Sequence, residues 1–151
     1  MPQSISAVYI HTVFSTKNRE KLLRDPQIRG ALHAHLGEIS SRLGCDPVIV
    51  GGVEDHVHHL ARLGRCVAQA ELVKELKRVS SCWLNEQGIL NRPFQWQSGY
   101  AAFSVSQSDL KRAINYIETQ ESHHRTADFQ EELRSMLERH NVDWDERYLW
   151  E

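Results

Sequence analysis

No stretch of this sequence approaches the ~18 consecutive apolar residues of a membrane-spanning helix, so no membrane span is expected. The opening residues, MPQSISAVYIHTVF, have neither the basic start nor the long apolar run of a secretory signal, and a cytoplasmic protein is expected. Cysteine is scarce. Cys45, Cys66 and Cys82 are odd in number and form no CxxC pair, which excludes a disulfide framework and a cysteine–histidine zinc finger and leaves free thiols. The HxxxH spacing of a helical zinc site is missing as well. There is no strongly basic stripe, and the formal net charge is −2, which speaks against a broad nonspecific nucleic-acid surface. No internal repeat or low-complexity segment occurs, which excludes a repeat array.

What is present suits one domain over residues 1–151. Apolar residues make up 40% and charged residues 25% of the chain, the balance of a folded globule with one modest core. The charge is unevenly placed. Residues 1–112 hold 14 Lys/Arg and 10 Asp/Glu, a net of +4, and residues 113–151 hold 4 and 10, a net of −6. A modestly positive surface beside an acidic tail favours a phosphate backbone only locally.

The pattern of apolar residues gives the order of elements. SAVYIHTVFST, from Ser6 to Thr16, reads as a strand. Asp25 followed by Pro26 caps a helix with Ile28, Leu32, Leu36, Ile39 and Leu43 at helical spacing, stopped by Gly44. CDPVIVGGV and HVHHLARL read as the two strands of a hairpin. Ala68 to Gln87 carries an apolar stripe of Leu72, Leu76, Val79 and Trp83 and ends at Gly88. PFQWQSGYAAFSVS reads as a further strand, bulged at Gly99. Ser106 or Ser108 is expected to cap a helix from Asp109 to about His123. FQEELRSMLERH makes a final helix, and Trp144, Tyr148 and Trp150 predict that the chain end docks. The order βαββαβ, with added C-terminal helices, predicts an α+β fold with a ferredoxin-like antiparallel sheet. Helices on one face leave the other face free in this reading.

Two constellations carry chemistry. In GGVEDHVHHLARL, strand alternation puts His56 and His58 on one face, with Cβ atoms roughly 6–7 Å apart, and turns His59 to the other. Two imidazoles on a rigid face chelate a divalent cation when oxygen ligands complete the shell, and Glu54 and Asp55 are nearby donors. A solvated hairpin explains the same residues equally well. In INYIETQESHHR, Tyr116 and Gln120 lie one turn apart on a helix. Tyr116 sits roughly 110° from the centre of the apolar stripe, at its margin. If this helix crosses the histidine face, Gln120 supplies an oxygen ligand and the Tyr116 hydroxyl stands beside the metal. A phenol so placed attacks phosphorus to give a phosphotyrosine, whose bond energy is kept for later resealing. Arg62, Arg65, Lys74, Lys77 and Arg78 are candidate DNA-backbone contacts, and Trp96, Tyr100 and Phe103 are candidates for base stacking or for sheet packing.

These residues carry a family resemblance. DHVHHL resembles the histidine–hydrophobic–histidine motif of HUH endonucleases, and Phe94 to Arg125 resembles the tyrosine-bearing segment of the small single-tyrosine HUH transposases of bacterial insertion sequences. YIHTVFSTKNRE fits the first strand of that domain and WDERYLW its end. The resemblance implies His56, His58 and Gln120 as ligands of Mg2+ or Mn2+, and Tyr116 as a nucleophile that becomes linked to a 5′ phosphate. It implies single-stranded DNA with imperfect hairpins as substrate and a homodimer, in which the tyrosine helix often works against the partner's histidines. His59 departs from the family pattern, where leucine is common. A noncatalytic single-stranded nucleic-acid-binding module and an HUH replication or transfer nickase are the alternatives.

Overall fold

The computed structural model describes residues 2–88 and 90–151. Its sheet has four antiparallel strands in the order β2-β3-β1-β4: β1 (Tyr9–Ser15), β2 (Asp46–Gly52), β3 (His56–Arg62) and β4 (Ala101–Val105). Helix α1 (Pro26–Arg42) connects β1 to the β2–β3 hairpin, and α2 (Gln69–Gln87) connects β3 to β4. This is the expected βαββαβ layout, and the helix ends carry the expected signals. The Asp25 carboxylate accepts the Gln27 N–H at 2.8 Å ahead of Pro26, and Gly44 and Gly88 take left-handed φ of +76° and +64° after their helices. Among the described residues no helix is long and apolar enough to cross a membrane.

The sheet is covered on both faces, contrary to the expectation of a free side. On one face, Phe14 and Val57 pack with Leu32, Leu36, Leu72 and Leu76 of α1 and α2. On the other, Val13 and Phe103 pack with Phe129, Leu133, Met136 and Leu137 of α5 (Phe129–Arg139). That stripe recurs at three- and four-residue steps and must be buried somewhere; the uncovered sheet face is the place. Trp144, Leu149 and Trp150 extend this second core, while Tyr148 is 67% exposed. The chain end docks through two of its three aromatics.

Two local expectations are corrected. The helix expected over Asp109–His123 enters through a 3-10 turn at Gln107–Asp109, and neither serine caps it by bonding a backbone N–H; the Ser106 hydroxyl bonds the Asp109 carboxylate at 3.1 Å instead. It then breaks into α3 (Leu110–Glu118) and α4 (Gln120–His123) at Thr119. The Thr119 hydroxyl donates to the Asn115 carbonyl at 2.8 Å, four residues back, and competes with the helix's own bonds there. The strand expected from Pro93 begins only at Ala101: Trp96 forms an isolated bridge with Thr16, and Gly99 turns the chain at φ +82°.

The glycine pair at the end of β2 decides how closely α3 approaches. A Cβ at Gly51 would lie 2.7 Å from Ile117 Cγ2 and 2.9 Å from the Ile117 carbonyl oxygen. Gly52, at φ +147°, would put a Cβ 2.3 Å from the His56 carbonyl oxygen. Gly51→Ala is therefore expected to push α3 off β2 at a cost of about 1–3 kcal/mol, read by thermal denaturation. An unchanged melting temperature in Gly51→Ala would show that α3 does not need the glycine there.

Candidate metal centre and its tyrosine helix

His56 and His58 project from β3 toward α4 and α5 and are fully buried. Across from them stands Glu132 of α5, which is 7% exposed. One of its oxygens, Oε1, lies 3.1 Å from His56 Nε2 and 3.0 Å from His58 Nε2. The other, Oε2, accepts the Tyr116 hydroxyl at 2.5 Å and the Gln120 amide at 3.0 Å, and lies 3.2 Å from His124 Nε2. The Gln120 carbonyl oxygen is 3.3 Å from His56 Nε2 and 3.1 Å from His124 Nε2. Behind the pair, Asp55 lies 2.7 Å from His56 Nδ1, and His11 of β1 lies 2.7 Å from His58 Nδ1. A single chain thus gathers all four expected residues, His56, His58, Tyr116 and Gln120.

Two members were not anticipated as parts of the site, Glu132 and His11; His124, two turns beyond Tyr116 and within reach of the site by sequence, contacts both Glu132 and Gln120. Glu132 had a sequence signal. It stands three residues after Phe129 and four before Met136, at the margin of the stripe Phe129, Leu133, Met136, Leu137, where a carboxylate is buried only if something pairs with it. His11 had one as well, as the histidine inside an otherwise apolar strand.

The donor set fits a divalent cation. His56, His58 and Glu132 offer nitrogen and oxygen atoms that all lie within 4.8 Å of one another, and all three residues are buried. Electrostatics separate the two histidines. Burial opposes charge on His56, but the Asp55 and Glu132 carboxylates outweigh it and raise its pKa to about 9. Burial lowers the pKa of His58 despite Glu132. Burial works to raise the Glu132 pKa, yet the bonds from His124, His56 and His58 hold it far below the carboxylate range. Burial and the Glu132 charge push the Tyr116 phenol up.

These shifts fix a pH profile. His56 titrates higher folded than unfolded, so its contribution is complete below pH 6.5 and is lost as pH rises through about 9. Burial lowers His11 to about 3, with His58 adding to the effect, and lowers His59 to about 4. Protonation of the unfolded chain therefore costs stability as pH falls below 6.5. The melting temperature measured in EDTA is expected to peak near neutrality and fall on both sides. A divalent cation bound at His56 Nε2 would have to displace the proton there, so Mn2+ affinity would rise up to ~10-fold per pH unit between 6.5 and 9; a flat affinity would exclude His56 as a ligand.

The expected DNA contacts lie elsewhere. Arg62 and Arg65 donate to the Ser6 and Ser4 carbonyls. Lys74 and Arg78 pair with Glu71 and Glu75 on α2. The Lys77 ammonium donates to the Gln97 carbonyl at 2.7 Å and to that of Gly99, and burial lowers its pKa to about 8. Lys77 thus ties down the turn before β4. Phe103 is a core residue, Trp96 packs edge-on to Phe14 and Phe94, and Tyr100 is 40% exposed. His123 packs against the Tyr116 ring at 4.6 Å, tilted by 30°, and bonds Thr119. His59 is buried on the α1–α2 side with neither ring nitrogen bonded.

A ferredoxin-like sheet that presents a histidine–valine–histidine pair to a tyrosine on α3 and a glutamine on α4 has the layout of the HUH single-tyrosine class. The family described as transposase, IS200-like, matches residues 4–120, and the chain belongs to it. Family and buried His/His/Glu set together make it an enzyme of the HUH transposase type. Among solved structures, the chain is similar to a candidate transposase from Deinococcus radiodurans R1, at 24% identity and a TM-score of 0.63, over 78% of this chain and 93% of the other. It is also similar to a REP-associated tyrosine transposase bound to a REP hairpin, at 14% identity and a TM-score of 0.60, over 81% of this chain and 71% of the other. No curated protein matches it.

Proposed function

We propose that this chain is a metal-dependent single-stranded DNA endonuclease and strand-transferase that works through a covalent 5′-phosphotyrosine on Tyr116. The observation that carries this reading is the sharing of one carboxylate. Glu132 bonds the Tyr116 hydroxyl through Oε2 and the Nε2 atoms of His56 and His58 through Oε1. His56, His58 and Glu132 would hold the cation, with the Gln120 carbonyl oxygen beside them. The bound ion supplies positive charge to a phosphodiester oxygen. Two imidazoles in the set suit Mn2+ better than Mg2+, which prefers an all-oxygen shell.

The residues themselves perform the rest. Glu132 orients the phenol by accepting its hydrogen bond at Oε2, and the phenol's proton leaves to solvent as Oη attacks. Tyr116 Oη forms a bond to phosphorus as the bond to the 3′ oxygen breaks, and that oxygen takes a proton from solvent. The reverse attack by a 3′ hydroxyl reseals the strand without another energy source. Asp55 and His124 face a cleft of about 370 Å3 in which Lys21 and Arg24 pair with Glu54 and Arg29 pairs with Glu121, and in this reading the strand reaches the site through it by exchanging those pairs for phosphates. The resemblance to a hairpin-bound relative supports single-stranded DNA with imperfect hairpins as substrate. Arg62, Arg65, Lys74, Lys77 and Arg78 stay candidates for its backbone in this reading. So does a homodimer, although Tyr116 and Gln120 reach His56 and His58 within one chain.

The test is adduct formation. Protein incubated with Mn2+ and single-stranded DNA from the flanks of its own gene should give a slower band on a denaturing gel, more rapidly than with Mg2+. Binding without any adduct would favour the noncatalytic module and overturn the proposal.

A further inference from the structure

Both histidines that face Glu132 through Nε2 are held from behind at Nδ1, but by partners of different chemistry. His56 Nδ1 lies 2.7 Å from an Asp55 carboxylate oxygen. His58 Nδ1 lies 2.7 Å from Nε2 of His11, which is itself buried on β1. We propose that Asp55 and His11 are positioning residues for the two histidines, Asp55 by fixing one tautomer of His56 and His11 by accommodating both tautomers of His58. The inference rests on the reading of His56 and His58 as cation ligands through Nε2.

A ring nitrogen that binds a cation offers its lone pair, so the ring's proton sits on the other nitrogen. A carboxylate only accepts hydrogen bonds. Asp55 therefore keeps a proton on His56 Nδ1 whatever Nε2 faces, so a cation displaces only the Nε2 proton and the bond behind the ring does not change. His58 is different. While its Nε2 donates to Glu132 at 3.0 Å, its Nδ1 accepts from the His11 Nε2–H. Once Nε2 faces a cation, His58 carries its proton on Nδ1 and donates to His11 Nε2. The protons balance: His11 passes its Nε2 proton to His58 Nδ1, the His58 Nε2 proton leaves to solvent, and His11 Nδ1 takes one from solvent. An imidazole, with one donor and one acceptor, serves both directions. A carboxylate at position 11 would bond His58 in only one of them, and an aromatic ring without nitrogen in neither.

Mn2+ calorimetry on the full chain and histidine-ring 15N spectra, recorded in EDTA and then in Mg2+, test this. Asp55→Ala and His11→Phe should each weaken Mn2+ binding ~10–100-fold, while His11→Gln, which can donate or accept, stays close to wild type. In the spectra, His58 Nδ1 should be unprotonated in EDTA and protonated in Mg2+, and His11 Nε2 the reverse. Wild-type affinity in both Asp55→Ala and His11→Phe, or a His58 pattern that does not change, overturns the inference. If His11→Phe does not fold, the spectra and His11→Gln decide it. Should wild type bind no Mn2+, the ligand reading falls too; binding lost in His56→Ala/His58→Ala but kept in Asp55→Ala and His11→Phe overturns the positioning roles alone.

Discussion

Tyr116→Phe is expected to lower adduct formation by at least ~10^4-fold, the scale of losing a reacting group that works as part of a unit, while Mn2+ still binds. Phenylalanine keeps the ring that packs against His123 at 4.6 Å and stands edge-on to His58 at 5.8 Å. Only the hydroxyl and its bond to Glu132 are lost. Glu132 keeps its contacts with His56, His58, Gln120 and His124, so it is not left an unpaired buried charge. The fold should survive with a loss of about 1–3 kcal/mol. An adduct at the wild-type rate would remove Tyr116 from the mechanism. The same variant tests whether the site is complete in one chain. Mixed with His56→Ala/His58→Ala protein, it should regain nothing, because the intact tyrosine and the intact histidines then lie on different chains. Restored activity would show that the tyrosine helix serves a partner.

Glu132→Ala should produce the largest combined loss of stability and metal binding. The change takes away the carboxylate that His56, His58 and His124 share, and leaves charge on His56 with Asp55 alone. Breaking a buried pair from one side costs about 3–5 kcal/mol, a fall in melting temperature on the order of 10 °C for a chain of this size. Removing a ligand should weaken Mn2+ by more than the ~10–100-fold that outer-shell changes cost. Glu132→Gln separates the two effects. It keeps the volume and a hydrogen-bonding group, so it should recover much of the stability but little of the Mn2+ affinity. Wild-type Mn2+ binding by Glu132→Ala would exclude Glu132 as a ligand and leave the site to Gln120, as the family resemblance has it.

Period and punctuation alone placed the βαββαβ order, the Asp25–Pro26 start of α1 and the glycines that end α1 and α2. Alternation along β3 separated His56 and His58 from His59, and the four-residue step paired Tyr116 with Gln120. These are relations between near neighbours along the chain, which backbone geometry fixes locally, and the Tyr116–Gln120 pair survives the break at Thr119 between α3 and α4. Which element lies opposite is not local. Glu132 reads along the chain as one more charge in an acidic tail, yet it sits at the centre of the site because α5 buries its stripe on the sheet face that bears the histidines. Lys77 reads as a free cation on a helix face, but the turn at Gln97–Gly99 passes within reach of its ammonium. The sequence by itself determined which residues share a face; only the tertiary structure decided what each face meets, because burial of an apolar stripe constrains that a partner exists and leaves its identity to the packing of the whole chain.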